Sequence, residues 1–335
     1  MVTRSVIGNW NSGSYLTPMN LAVTPEMIRE AAQRIRPLAR RTPVLTSPDV
    51  DERSGIQVYL KCENLQNGGA FKIRGASNLI LSLSPEQAER GVIAFSSGNH
   101  AQAVAIAAKY VAAPATIVMP DDAPHAKVEP TRALGARIVT YNRFTEDREA
   151  IAARVLEERG GTLVPPFDHP MIIAGQGTAA LELLSDVPDL DAILTPCSGG
   201  GLLAGTSVIA KSLKSSIRIF GVEPELANDT ALSFAAGERI TIAPPETIAD
   251  GLRTPTPGKV TFPIVRRHVE RILLVSEGEI KATMRFLMEK VRIVVEPSGA
   301  VALAAVLFGM LPPGIRSVGV ILSGGNVDFE FLKTL

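Results

Sequence analysis

The chain has 335 residues, 46% of them hydrophobic and only 5% aromatic. That is length for about two domains, with a core built from Ala, Val, Ile and Leu. Its 34 basic residues balance its 34 acidic ones, which gives no electrostatic footprint for nucleic acid or an anionic membrane. The two cysteines, Cys62 and Cys197, lie far apart, which argues against a disulfide framework and for a reducing, cytoplasmic setting.

Residues 1–21 contain no apolar segment of signal-peptide type and no long basic run. They are expected to form a flexible or docking extension. No apolar run reaches the length of a membrane span. Beyond them, short β-branched runs alternate with Ala-rich helical patterns. The runs predict strands at 58–61, 92–96, 116–119, 137–141, 162–164, 192–196, 218–222, 271–275 and 318–322. Helical patterns fall between them at 100–110, 145–159, 177–185 and 202–213. This alternation predicts an α/β fold, a parallel sheet with helices on both faces. The proline-rich stretch 243–257 reads as a long loop near the site.

Three of the strands end in polar turns that contain glycine: Ser96-Ser97-Gly98-Asn99-His100, Ser198-Gly199-Gly200-Gly201 and Ser323-Gly324-Gly325-Asn326. Ligands of open parallel sheets bind beyond the carboxyl ends of the strands, so the three turns should meet in one crevice. The glycine run opens a helix, where backbone N–H groups and the helix dipole favour a phosphate. The same run, Gly199-x-Gly201-x-x-Ala204 with Glu223 at the end of the next strand, also fits a dinucleotide fingerprint. On this segment alone a nicotinamide-dependent dehydrogenase stays open.

Lys72 stands between Phe71 and Ile73 at a helix start. Read alone it is either a solvated lysine or a partly buried amine of lowered pKa, suited to carbonyl chemistry. Glu223 and Asp229, six residues apart with loop carbonyls between, could bind a hard divalent cation such as Mg²⁺, Mn²⁺ or Ca²⁺, or could form an exposed acidic loop. Arg148 reads as a charge on a helix face, or as a clamp for a second carboxylate.

The segment Lys61-Cys62-Glu63-Asn64-Leu65-Gln66 through Phe71-Lys72-Ile73-Arg74-Gly75-Ala76 resembles the lysine signature of the serine/threonine dehydratase family. These are pyridoxal-phosphate enzymes of fold type II, the tryptophan-synthase-β type. The serine turn, the triple-glycine loop, Glu296-Pro297-Ser298-Gly299 and the Ser323 turn follow in family order, from about residue 22 to 330. The match lies nearest the serine racemase and 3-hydroxyaspartate dehydratase branch. One departure is Gly68-Gly69-Ala70, where the family usually has Thr-Gly-Ser. Two hydroxyls are missing beside the lysine, which bears on substrate preference.

The resemblance implies roles residue by residue. Lys72 would carry the cofactor and exchange the Cα proton. Phe71 would flank the ring, and Asn99 would bond its 3-oxygen. Gly199, Gly200, Gly201 and Leu202 would surround the phosphate. Glu296 would lie at the cofactor, and Ser323 would face the pyridine nitrogen. Ser96, Ser97, Asn99 and His100 would hold the substrate carboxylate. Ser97 would also exchange protons on the face opposite Lys72. Glu223, the Ala227 carbonyl and Asp229 resemble a metal loop.

The implied organisation is two open twisted parallel-sheet domains with helices on both faces, a large one of 22–84 and 166–335 and a small mobile one of 85–165, in a cytoplasmic homodimer. No regulatory domain, and hence no isoleucine feedback, is expected after the Ser323 turn. The implied reaction is removal of water and then ammonia from a small β-hydroxy amino acid, foremost L-threonine or L-serine. Serine racemisation, or dehydration of 3-hydroxyaspartate or of a hydroxylated diamino acid, are the alternatives, and the nicotinamide enzyme becomes remote.

Overall fold

A computed structural model describes residues 21–335 apart from 97, 124 and 143, with residues 125–127 described by backbone only. Ten strands follow in chain order: β1 Val44–Leu45, β2 Gln57–Cys62, β3 Val92–Phe95, β4 Ala115–Pro120, β5 Arg137–Tyr141, β6 Thr162–Leu163, β7 Ala192–Pro196, β8 Arg218–Pro224, β9 Arg271–Val275 and β10 Ser317–Leu322. All nine expected strands are present, and β1 is additional. They form two sheets, a six-stranded one in the order β1-β2-β10-β7-β8-β9 and a four-stranded one in the order β5-β4-β3-β6. Every pairing is parallel except β1 with β2.

Burial on both faces explains the uninterrupted apolar strands. In β7, Ala192 and Leu194 join one core cluster while Ile193, pointing the other way, joins another. The first cluster is filled by the helix Pro297–Leu307, which is buried at every position. The second is filled by the helices Pro170–Asp186 and Gly201–Leu213. The smaller sheet repeats the plan. Val92 and Ala94 face the helix Asn99–Tyr110, whereas Ile93 and Phe95 face the helix Arg148–Arg159.

Two helices differ from their expected bounds. The helix expected from residue 177 starts at Pro170, behind His169, whose ring nitrogen accepts from the Met171 amide. Gly175 and Gly177 sit inside it because the backbones of Arg74–Gly75 and Gly205 pack directly against them. The helix expected from residue 145 starts at Arg148, capped by the Asp147 carboxylate. Among the described residues, no helix is long and apolar enough to cross a membrane.

A buried ion network fixes the start of the lysine-bearing helix Lys72–Ile80. The Arg74 guanidinium, wholly buried, donates to Glu63 at 2.7 and 2.8 Å and to Glu182 at 2.8 Å. Lys61 donates to Glu182 at 2.6 Å and to the Thr42 carbonyl at 2.7 Å. Burial works against ionisation of Glu63, and the Arg74 charge outweighs it, so the carboxyl is held below its usual range. Removing one partner of such a pair typically costs about 3–5 kcal/mol, because the other charge stays buried. The network ties β2 to two helices and so sets where Lys72 stands.

Candidate active site

The three glycine-containing turns leave the carboxyl ends of β3, β7 and β10, and β7 and β10 are direct neighbours. The Ser323 turn is joined to the lysine segment by backbone. Phe71 N donates to Ser323 O at 3.0 Å, and Gly325 N donates to Gly69 O at 2.9 Å. Phe71 itself packs against Ala179, Leu202 and Ile321.

Lys72 Nζ donates to the Pro166 carbonyl at 2.7 Å and lies 5.2 Å from the centre of the Phe71 ring. Burial pushes its pKa down to about 8, partly opposed by the carboxylate of Glu296. Glu296, 4% exposed, accepts from Asn99 Nδ2 at 2.7 Å. Asn326 Nδ2 donates to Asn99 Oδ1 at 2.9 Å and to Gly68 O at 2.8 Å, so the Asn99 amide is held with its NH₂ toward Glu296. Lys72, Glu296 and Asn99 thus form one polar group, drawn from the smaller sheet and two helices of the larger unit.

His100 is buried, and its Nε2 lies 2.8 Å from the Val164 carbonyl. A carbonyl can only accept, so Nε2 carries the proton and Nδ1 is the bare acceptor. Nδ1 has no partner among the described residues. Burial first, and the Lys72 charge second, push the pKa of His100 down to about 3, so the ring is neutral. Ser96 Oγ accepts from Gly98 N at 3.2 Å. Ser97 lies outside the described residues.

The glycine loop enters the helix Gly201–Leu213 through Gly200 at φ 91°. Its first turn presents amides that have no acceptor within the helix, which is a ready anion cradle. The Phe167 ring lies against Gly199, and the Phe167 Cβ and backbone lie against Gly201. Ser198 Oγ donates to Thr254 Oγ1 at 2.8 Å, and Gly251 N donates to Ser298 Oγ at 3.0 Å. The proline-rich loop therefore does reach the glycine loop. Ser323, 3% exposed, donates to Ser298 O at 3.3 Å.

Farther along β8, Glu223 is fully buried and Asp229 is buried beside it. Glu223 Oε1 and both Asp229 carboxylate oxygens have no hydrogen-bond partner among the described residues. Burial raises both carboxyl pKa values, Asp229 to about 7, and the proximity of Asp229 raises Glu223 further. Ala227, 1% exposed, lies in the turn between them. No group of three or more His, Cys, Asp or Glu side chains arranged for a metal occurs among the described residues.

Side-chain patterns gave no notice of the segment 164–169. Its Val164 and Pro166 carbonyls hold His100 and Lys72, its Phe167 ring covers the glycine loop, and its Asp168 accepts three amides at residues 259–261. Backbone carbonyls carry no sequence signal. The double proline that fixes the extended path is the one available hint.

A primary amine of lowered pKa beside an anion cradle suits a phosphate ester that also bears an aldehyde. A family model described as pyridoxal-phosphate dependent enzyme matches residues 35–324. The chain is 50% identical to an L-threo-3-hydroxyaspartate ammonia-lyase of Saccharomyces cerevisiae, over 92% of this chain and 94% of that protein. It is 47% identical to a serine racemase of Arabidopsis thaliana, over 91% and 93%. The structure of maize serine racemase superposes with a TM-score of 0.90 at 45% identity, covering 93% of this chain and 96% of that one. The chain thus belongs to the pyridoxal-phosphate dependent enzyme family, and the nicotinamide reading of its glycine loop is set aside.

Proposed function

We propose that the chain is a lyase that removes water and then ammonia from a small β-hydroxy amino acid, with pyridoxal phosphate held at Lys72. The observation that carries this reading is the Lys72 amine, brought to about 8 by burial and set among Asn99, Glu296 and the three glycine turns. Asn99, Phe71, Ser323 and the Gly199–Gly200–Gly201–Leu202 amides would hold the cofactor. When bound, it supplies an electron sink for charge left at Cα.

The chain's own residues then do the following. The amides at the start of the Asn99–Tyr110 helix, with Ser96, orient the substrate carboxylate. Lys72, in part the free base near neutral pH, takes the Cα proton. The β-hydroxyl departs as water once it has gained a proton. The unsaturated amine that is released turns to an imine, and water converts that to a 2-oxo acid and ammonia. Neutral His100 adds no positive charge beside Lys72 and so does not lower the basicity of its amine beyond what burial does.

Among β-hydroxy amino acids, we propose 3-hydroxyaspartate ahead of threonine and serine. The support is Arg148. It is half-buried at its helix start, its guanidinium lies 5.5 Å over the Phe95 ring, and it has no carboxylate partner among the described residues. Phe95 directly precedes the serine turn. A guanidinium so placed offers two parallel donors to a second carboxylate. The name of the yeast relative points the same way. A panel of L-threonine, L-serine and L-threo-3-hydroxyaspartate, assayed for ammonia and 2-oxo acid release, tests the reading. Arg148→Met should cost about 10²-fold in kcat/KM on the dicarboxylate and little on serine. Equal losses would remove Arg148 from substrate choice, and no ammonia from any of the three would overturn the lyase reading.

Three finer statements belong to the same proposal. Glu223, the Ala227 carbonyl and Asp229 bind a divalent cation, supported by the partnerless buried carboxylate oxygens, with water filling the remaining positions. Residues 85–165 close over the substrate as a unit, supported by their separate sheet. The cytoplasmic homodimer rests on the family resemblance and the two free cysteines, and sedimentation velocity checks its oligomeric half.

A further inference from the structure

The orientation of the Gly199–Gly200 peptide is fixed from outside the glycine loop. The Gly199 carbonyl accepts from Thr261 Oγ1 at 2.6 Å and from Gly258 N at 3.2 Å. A peptide unit is planar and trans, so its C=O and N–H point in opposite directions. Holding the carbonyl of Gly199 toward residues 258–261 therefore turns the Gly200 N–H the other way, to join the free amides of the helix that follows.

Thr261 is itself held. It is fully buried and opens the helix Thr261–His268. The Asp168 carboxylate accepts from the amides of Lys259 at 2.8 Å, Val260 at 2.8 Å and Thr261 at 3.2 Å. Gly200, at φ 91°, passes so close that a Cβ there would stand 2.9 Å from Thr261 Oγ1. The hydroxyl and the loop thus meet with no slack between them.

We infer that Thr261 is a positioning residue for phosphate binding: its hydroxyl, anchored through Asp168, aims the Gly200 N–H at the cofactor's phosphate. This rests on the proposed role of the glycine loop as the phosphate site. Thr261 need not touch the cofactor. A threonine is suited to the task because its methyl fills the buried space while its hydroxyl has one donor to give.

The test is binding of pyridoxal phosphate and of pyridoxal, which lacks the phosphate, to the full-length chain resolved of cofactor. The two ligands share the aldehyde that Lys72 captures and differ only in what the loop would hold. Wild type should prefer pyridoxal phosphate strongly. Thr261→Val, which keeps shape and loses the hydroxyl, should weaken pyridoxal phosphate about tenfold and pyridoxal less than about twofold. Thr261→Ser should restore the preference, and Thr261→Ala replaces the valine variant should that one not fold. Equal weakening of both ligands would make Thr261 merely structural and overturn the inference, as would an unchanged preference in the valine and alanine variants. A wild type with no preference between the ligands would overturn the phosphate role of the loop itself.

Discussion

Glu296→Gln isolates the electrostatics of the lysine. The two side chains are nearly isosteric, and the glutamine carbonyl oxygen can still accept from Asn99 Nδ2, which now sits 2.7 Å from Glu296. What is lost is the negative charge that pulls the Lys72 pKa upward against burial. An opposite charge within about 4–6 Å strengthens proton binding by one to three powers of ten. The low end applies here, since Lys72 spends its hydrogen bond on the Pro166 carbonyl. From about 8, a tenfold loss raises the free-amine fraction at pH 7 from about 10% to about 50%. Reductive methylation of the cofactor-free chain, followed by peptide mass spectrometry, reads the reactivity of Lys72 against pH. At pH 7 the variant should react roughly fivefold faster, and near pH 10 the two should coincide. A midpoint that stays in place or moves up would refute the reasoning that Glu296 supports the ammonium.

Three further outcomes are expected. His100 titrates at about 3 when folded against 6.5 for the free side chain, so on acidification the unfolded chain takes the proton first. Its contribution to stability is intact above pH 6.5 and falls by about 1.4 kcal/mol per pH unit toward pH 3. Urea melts of His100→Gln, which keeps a donor for Val164, should show a shallower slope, and parallel slopes would contradict the burial argument. Melting temperature should rise with added Mg²⁺, Mn²⁺ or Ca²⁺, because binding to the native state alone stabilises it. Asp229→Ala should abolish the rise, and a curve identical in chelator and saturating cation would speak against the loop as a metal site. Ser97→Ala should keep most elimination of L-serine and lose about 10²-fold of any D-serine elimination or racemisation. Pyruvate release from both enantiomers measures it, with equal losses pointing to simple carboxylate positioning.

The sequence was most legible where one local rule dominates. Strands such as β4 and β7 are continuous apolar runs because both faces are covered, and their bounds were read within a residue. The Ser198 and Ser323 turns could be expected to converge because the neighbouring parallel strands β7 and β10 bring their carboxyl ends to one edge, whereas the turn after β3 reaches the site from the other sheet. Where a local rule yields to tertiary packing, the reading fell short. Gly175 and Gly177 look like helix breakers until the neighbouring backbones that need their bare surface are in place. Glu63 and Arg74 are visible as parts of a signature, but the pairing of Arg74 with Glu182, more than a hundred residues away, is not. The carbonyls of Val164 and Pro166 act at the site without any side chain to announce them. The small β1 strand, two residues long, is below the length at which alternation can be seen.

Everything proposed for the reaction depends on where the cofactor is bonded. Borohydride reduction of the protein after saturation with pyridoxal phosphate, followed by proteolysis and mass spectrometry, locates that bond directly. One stoichiometric adduct is expected, on Lys72, with loss of the visible absorbance on reduction. An adduct on another lysine, or no adduct after saturation, would contradict it.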